Sequence, residues 1–109
     1  MRHFHDREAY ERRELRLAEE IVRSTMEALR QAGLRHDKLK LLTKEIASSV
    51  ACAVDGSTHM NIGDDHLVPI LGFAEGRMRD RLLIPESGGS SLHEYVFGIS
   101  NDLFPSEQA

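Results

Sequence analysis

The chain has 109 residues, of which 40% are hydrophobic and 29% charged, and its formal net charge at pH 7 is -4. This length fits one domain with a modest core, and the acidic balance argues against nucleic-acid binding, which requires a positively charged face. Because Cys52 is the single cysteine, the chain has no internal disulfide framework.

Neither a targeting segment nor a membrane span is evident. The stretch Met1–Asp6 lacks the apolar core of a secretion signal, and no apolar run approaches the ~20 residues that cross a bilayer. We therefore expect a cytoplasmic protein with no membrane partner. It is predicted to form one helical domain over residues 1–109, with mobile ends at 1–5 and 106–109.

A long amphipathic helix is predicted from about Asp6 to Ala32. Its apolar residues recur every three or four positions in two adjacent stripes, which indicates a wide buried face. Gly33 provides the left-handed residue that often ends a helix, and Leu34 is placed to contact Leu29 in a Schellman cap.

A second helix is predicted from about Asp37, as its cap, to Val54. Only a short break separates it from the first helix, so the two are expected to pack antiparallel as a helical hairpin. The apolar face of the first helix is wider than one partner helix covers. We therefore predict a homodimer that forms through this hairpin.

The next segment, residues 57–65, is polar and is predicted to be a loop. Imidazole and carboxylate groups together suit a divalent transition metal, so this region offers candidate ligands. The candidates are His59, Asp64, Asp65 and His66, with His93 from further along the chain. Turn chemistry and a negatively charged helix start explain the same residues more simply.

Residues 67–84 have two interpretations. Apolar residues at helical spacing favour a helix, although Pro69, Gly72 and Gly76 weaken it. The alternative is a β-hairpin that pairs 67–73 with 82–85. A last short helix follows: Ser91 and Glu94 have the spacing of a capping box at its start, and Phe104-Pro105 ends it.

With the helix favoured over 67–84, the predicted fold class is all-α. It consists of a helical hairpin of two long antiparallel helices followed by two shorter helices, and the alternative is α+β with a hairpin in 67–85. The predicted function is an interaction or regulatory module that forms homo-oligomers and binds a protein partner. The alternative is a metal-binding module or metal-dependent enzyme that uses the loop 55–66. No other cofactor and no catalytic residue is predicted.

Overall fold

The computed structural model describes residues 2–58, 60–86 and 89–103 and has a mixed α+β fold. Three helices pack against one another: α1 (Arg7–Gln31), α2 (His36–Val54) and α3 (Leu92–Leu103). Five short strands occupy the segments before α1 and between α2 and α3. The all-α prediction is therefore wrong, and the α+β alternative describes the fold class.

The end of α1 is a Schellman cap, as predicted. Gly33 has a φ of 100°, the Leu34 N–H donates to the Leu29 carbonyl at 3.1 Å, and the Gly33 N–H donates to the Arg30 carbonyl at 3.0 Å. These two bonds satisfy carbonyls that the helix end leaves open. The predicted break between the two long helices is confirmed.

The start of α2 differs from the prediction that Asp37 caps it. Arg35 occupies the cap position, and no side chain there bonds to the helix. Asp37 lies in the first turn, where its negative charge still favours the positive end of the helix dipole.

The strands form two separate sheets. The first contains β1 (Arg2–Phe4), β4 (Phe73–Glu75) and β5 (Arg81–Leu83) in the order β1-β5-β4, with β1 parallel and β4 antiparallel to β5. The second is a hairpin of β2 (Met60–Ile62) and β3 (Asp65–Leu67). The segment 57–65, which is predicted to be a loop, thus contains β2, the turn and the first residue of β3.

The helix favoured for 67–84 is also wrong, and a β4–β5 hairpin takes its place with bounds that differ from those expected. Part of the reason that strands form here lies outside this segment, because β1 pairs in parallel with β5. The Arg2 N–H donates to the Asp80 carbonyl at 2.9 Å, and the Ile84 N–H donates to the Phe4 carbonyl at 3.1 Å. Arg2–Phe4, which belongs to the end predicted to be mobile, thus forms a strand of this sheet. Residues 106–109 lie outside the described residues.

Two clusters form the core. One joins the three helices through six buried side chains: Ala18, Val22, Ala47, Ala51, Leu92 and Val96. The other joins the start of α1 to the first sheet through Ala9, Tyr10 and Leu83. The chain itself thus covers the wide face of α1, which we had assigned to a second copy. Of the large apolar residues of α1, Leu15 alone is classed as exposed, with 40% of its surface accessible.

Candidate functional site

Two buried carboxylates from different helices meet the start of α3. Glu14 of α1 is 2% exposed, and Asp55, which follows α2, is 7% exposed. Both accept hydrogen bonds from backbone N–H groups of the first residues of α3 or just before it. Because the N-terminus of a helix carries partial positive charge and open N–H groups, acids placed there stabilise the helix.

Asp55 makes the more extensive set of bonds. Its Oδ1 accepts from the Ser57 N–H at 2.9 Å, and its Oδ2 accepts from the His93 N–H at 2.9 Å and from His93 Nδ1 at 2.5 Å. The carboxylate therefore ties the turn after α2 to the first turn of α3. Asp55 also occupies the C-cap position of α2, so its place in space follows directly from where that helix ends.

Glu14 binds the residues just before α3. Its Oε2 accepts hydrogen bonds from the Ser90 hydroxyl and from the Ser91 N–H, the latter at 2.8 Å. The Ser90 hydroxyl oxygen in turn accepts from the Leu92 N–H at 3.2 Å. In the predicted capping box, the Glu94 N–H would bond to the Ser91 side chain. It donates to the Ser91 backbone carbonyl instead, at 3.0 Å.

The two acids have opposite pKa shifts. Burial raises the pKa of Glu14, and the bonds from Ser90 and Ser91 only partly offset this. Burial also acts to raise the pKa of Asp55, but the bonds from Ser57 and His93 outweigh it and leave the value below its usual range. Asp55 is therefore ionised in the folded chain near neutral pH and pairs with His93.

His93, Asp55 and Ser57 have the residue types of a hydrolase triad without its geometry. Ser57 Oγ lies 3.0 Å from His93 Nδ1, the same ring nitrogen that contacts Asp55. A triad requires the serine at Nε2, so that the base can take its proton while the acid holds the other nitrogen. Here Ser57 and Asp55 contact the same ring nitrogen of His93, whose side chain is 37% exposed, so Ser57 does not have the position of a triad nucleophile.

A cleft of ≈ 1110 Å³ opens beside this cluster. Asp55, Ser57 and Ser90 line it at the helices, and His3 and His5 line it from the N-terminal segment. Most of its wall is apolar and comes from β5 and from the segments just before β4 and just after β5: Val68, Ile70, Leu82, Ile84 and Pro85. Two of its polar residues, Asp55 and Ser90, bond to the first residues of α3, which favours a structural role for the cluster.

The structure does not gather the predicted metal ligands. Asp64, Asp65 and His66 lie exposed in the β2–β3 hairpin, where His66 Nδ1 is 2.7 Å from Asn61 Oδ1, while His93 is bound to Asp55. His59 lies outside the described residues. Within 2–58, 60–86 and 89–103, no three His, Cys, Asp or Glu side chains form a group that could hold a metal ion. The metal-binding alternative stays a prediction from the sequence.

Sequence reasoning missed the two buried acids, although one signal was present. Glu14 falls in the four-residue register of Tyr10, Ala18 and Val22, which are all buried, so a charged residue interrupts the apolar stripe of α1. Such a position calls for a polar partner from elsewhere in the chain. Asp55 carried no comparable signal, because Asp55-Gly56 also fits an ordinary helix end.

Comparison with known proteins adds no function. Among the described residues, no helix combines the length and the apolar character needed to traverse a lipid bilayer. Searches with protein-family models, curated proteins and solved structures found no match to this chain.

Proposed function

We propose that this protein is a homodimeric interaction module in which two copies associate through one face of α2. That face consists of Leu42, Ile46, Val50 and Ala53, which we call the outer stripe. Ile46 is 41% exposed and Val50 43% exposed. This exposure of branched apolar side chains, one helical turn apart on a regular helix, is the observation that carries the proposal.

Two other faces of α2 are occupied within the chain. Leu39, Thr43, Ala47 and Ala51 are buried on the core face. The next face meets α3, since Lys44 Nζ is 2.7 Å from Asn101 Oδ1 and 4.2 Å from the centre of the Phe97 ring. Successive residues of a helix are rotated by roughly 100°, so the outer stripe points away from α3.

The composition of the outer stripe suits helix packing. Ala53 and its neighbour Ser49 are small and exposed, so the backbone of a partner helix could approach closely between the larger Ile46 and Val50. Contiguous exposed apolar residues on a regular element are typical of interaction surfaces. A helix of 19 residues is also long enough to present several turns to an equivalent helix.

Light scattering after size-exclusion chromatography tests this proposal. At micromolar concentration we expect twice the 12.3 kDa mass of one chain. Ile46→Glu should give the monomer, because a charge buried in an apolar interface without a partner is costly. A monomeric wild type would overturn the proposal.

Leu41→Glu is the matched control. Leu41 is also an exposed apolar residue of α2, with 55% of its surface accessible, but it lies about 140° around the helix from Ile46. This variant should remain dimeric. If Leu41→Glu and Ile46→Glu dissociated the dimer equally, the assignment to the outer stripe would be wrong.

A further inference from the structure

We propose that the two β-hairpins form a reciprocal contact between copies of this chain, in which β2–β3 of one copy binds β4–β5 of the other. This inference rests on the proposed self-association and specifies a second part of the interface. The observations that carry it are the exposure of the β2–β3 hairpin and of the turn between β4 and β5, and the opposite charges that they present.

The β2–β3 hairpin has little support from its own chain. Residues 61–68 are all exposed, and Ile62 at its turn is 64% exposed. The turn itself is well formed, because Gly63 has a φ of 62° at the first central position of a two-residue connection, as a type II′ turn requires. A two-stranded hairpin alone in water is marginally stable, so this one would be stabilised by a partner that covers it.

The charges of this hairpin have no partner of opposite sign nearby. Asp64 and Asp65 follow Gly63 at the turn, and both are exposed. In the part of the chain that the structure describes, neither carboxylate lies within 4.0 Å of a cationic side-chain nitrogen. The turn is therefore acidic and next to an exposed apolar residue.

The connection between β4 and β5 has the complementary chemistry. Arg77 and Arg79 are exposed there beside one exposed acid, Asp80, and neither arginine forms an ion pair with a carboxylate within the described ranges, whereas Arg81 pairs with Glu75 at 3.5 Å. Met78 lies between the two free arginines and is 82% exposed, the highest value among the exposed large apolar residues. The β4–β5 turn thus presents cations beside an apolar side chain, and the β2–β3 turn presents anions beside an apolar side chain.

Both hairpins lie at the same end of the helical layer. β2 begins six residues after the last residue of α2, and Leu83 of β5 packs on Ala9 and Tyr10 at the start of α1. Because α1 and α2 are antiparallel, these two helix ends are neighbours. A two-fold dimer makes every contact twice, so each copy would give one acidic and one basic turn to its partner.

A charge-swap experiment tests the contact. The variants are Asp64→Lys with Asp65→Lys, and Arg77→Glu with Arg79→Glu, and circular dichroism checks that each remains folded. Each variant alone places like charges together, so we expect its dimer dissociation constant to rise by roughly tenfold. An equimolar mixture should restore wild-type affinity, because the acidic variant and the basic variant then match at both contacts.

Lys38→Glu with Lys40→Glu is the control for net charge. It changes the charge as much as the arginine variant does, at the start of α2 and away from both hairpins. The control should leave the dissociation constant unchanged. Salt should also weaken the wild-type dimer between about 0.05 M and about 1 M ionic strength, since exposed charges are screened.

The outcomes separate the two proposals. A wild-type dimer that Ile46→Glu dissociates and that neither charge variant weakens would overturn the hairpin contact and leave the proposed function standing. Equal weakening by the lysine control, or failure of the mixture to recover, would also overturn the hairpin contact. A monomeric wild type would overturn the proposed function.

Discussion

The β4–β5 and β2–β3 hairpins both have strands of three residues, but their surroundings differ. In β5, Leu83 is fully buried against α1, and β1 adds a third strand to the sheet. In β3, Leu67 is 39% exposed, and among the residues that the structure describes no third strand joins this hairpin. The two hairpins thus differ in what stabilises them. The β4–β5 hairpin packs into the core, whereas the β2–β3 hairpin depends on its own turn and its own backbone hydrogen bonds.

The difference extends to charged groups. Asp55 is buried and makes three hydrogen bonds, whereas Asp64 is exposed and has no ion pair in the described part of the chain. A buried carboxylate that is hydrogen-bonded within the chain serves the fold, while an exposed, hydrated carboxylate at a turn is available to a partner. This contrast is why we assign a structural role to the cluster at α3 and an interaction role to the hairpins.

The largest expected loss of stability follows from removing the buried apolar side chain that packs the first sheet against α1. Leu83→Ala should lower the free energy of unfolding by about 3 kcal/mol, because it leaves a cavity between β5 and α1. Leu67→Ala, the matched change in the other hairpin, should alter it by less than about 0.5 kcal/mol. Urea denaturation followed by helical circular dichroism at one protein concentration measures both. Equal losses would remove the contrast between the hairpins.

A slightly smaller loss is expected when the acid at α3 is removed. Asp55→Ala should destabilise the fold by about 2 kcal/mol, because bonds from Ser57 and His93 to a charged acceptor are lost. Asp64→Ala, which breaks no bond to any described residue of its own chain, should lower the free energy of unfolding by less than about 0.5 kcal/mol on the same urea curve. If Asp55→Ala left the free energy of unfolding unchanged, water would have to satisfy the N–H groups at the start of α3 in place of the carboxylate.

Loss of the hydrogen bond between Tyr10 of α1 and the segment that joins the two hairpins should lower the free energy of unfolding by a smaller amount. The Tyr10 hydroxyl donates to the Leu71 carbonyl at 2.7 Å, and its ring meets Phe73 edge-on at a centroid distance of 5.4 Å. Tyr10→Phe keeps the ring and should cost about 1 kcal/mol by thermal or urea unfolding. Tyr95→Phe is the control, with a smaller expected change.

The pH profile of stability tests the two buried acids. The lowered pKa of Asp55 means that its contribution is complete above its ordinary value of 3.8 and is lost as the pH falls through the lower folded value. The raised pKa of Glu14 means that the proton-bound form stabilises the fold below 4.5, and this contribution is lost as the pH rises through the raised value.

Substitutions at Glu14 and Asp55 show which acid causes each change of stability with pH. Glu14→Gln should remove the decrease in stability above pH 4.5, since an amide oxygen still accepts from Ser90 and Ser91 without becoming charged. Asp55→Asn should remove the decrease below pH 3.8. Urea curves across this range provide the comparison. Unchanged slopes in both variants would contradict the assignment of the slopes to these acids.

Much of the helical part of this fold was predictable. The apolar period, Gly33 and Leu34 located α1, the break and α2 to within one or two residues, because these signals are local to each helix. The β region was predicted less well. Strands of three residues are too short for an alternating pattern to stand out, and β5 pairs with a segment almost eighty residues earlier in the chain.

The candidate site was predictable only in part. His93 was singled out, but as a metal ligand, and its actual partner Asp55 lies 38 positions away in the chain. The close approach of Gly56 to the backbone of Pro69, where an added Cβ would lie 2.6 Å from the carbonyl oxygen, was equally invisible to the sequence. Contacts of this kind depend on how helices and strands pack, which periodicity does not encode.

The sequence by itself determined the helical hairpin, since helix periodicity and a glycine stop act within a few neighbouring residues. Only the tertiary structure decided that 67–84 contributes strands, because there β5 pairs with β1 and Leu83 packs into the core. The same packing brought Glu14 and Asp55 to α3 and left Ile46, Val50 and both hairpin turns uncovered. Burial and exposure belong to the whole chain, so they emerge only once every element has its neighbours.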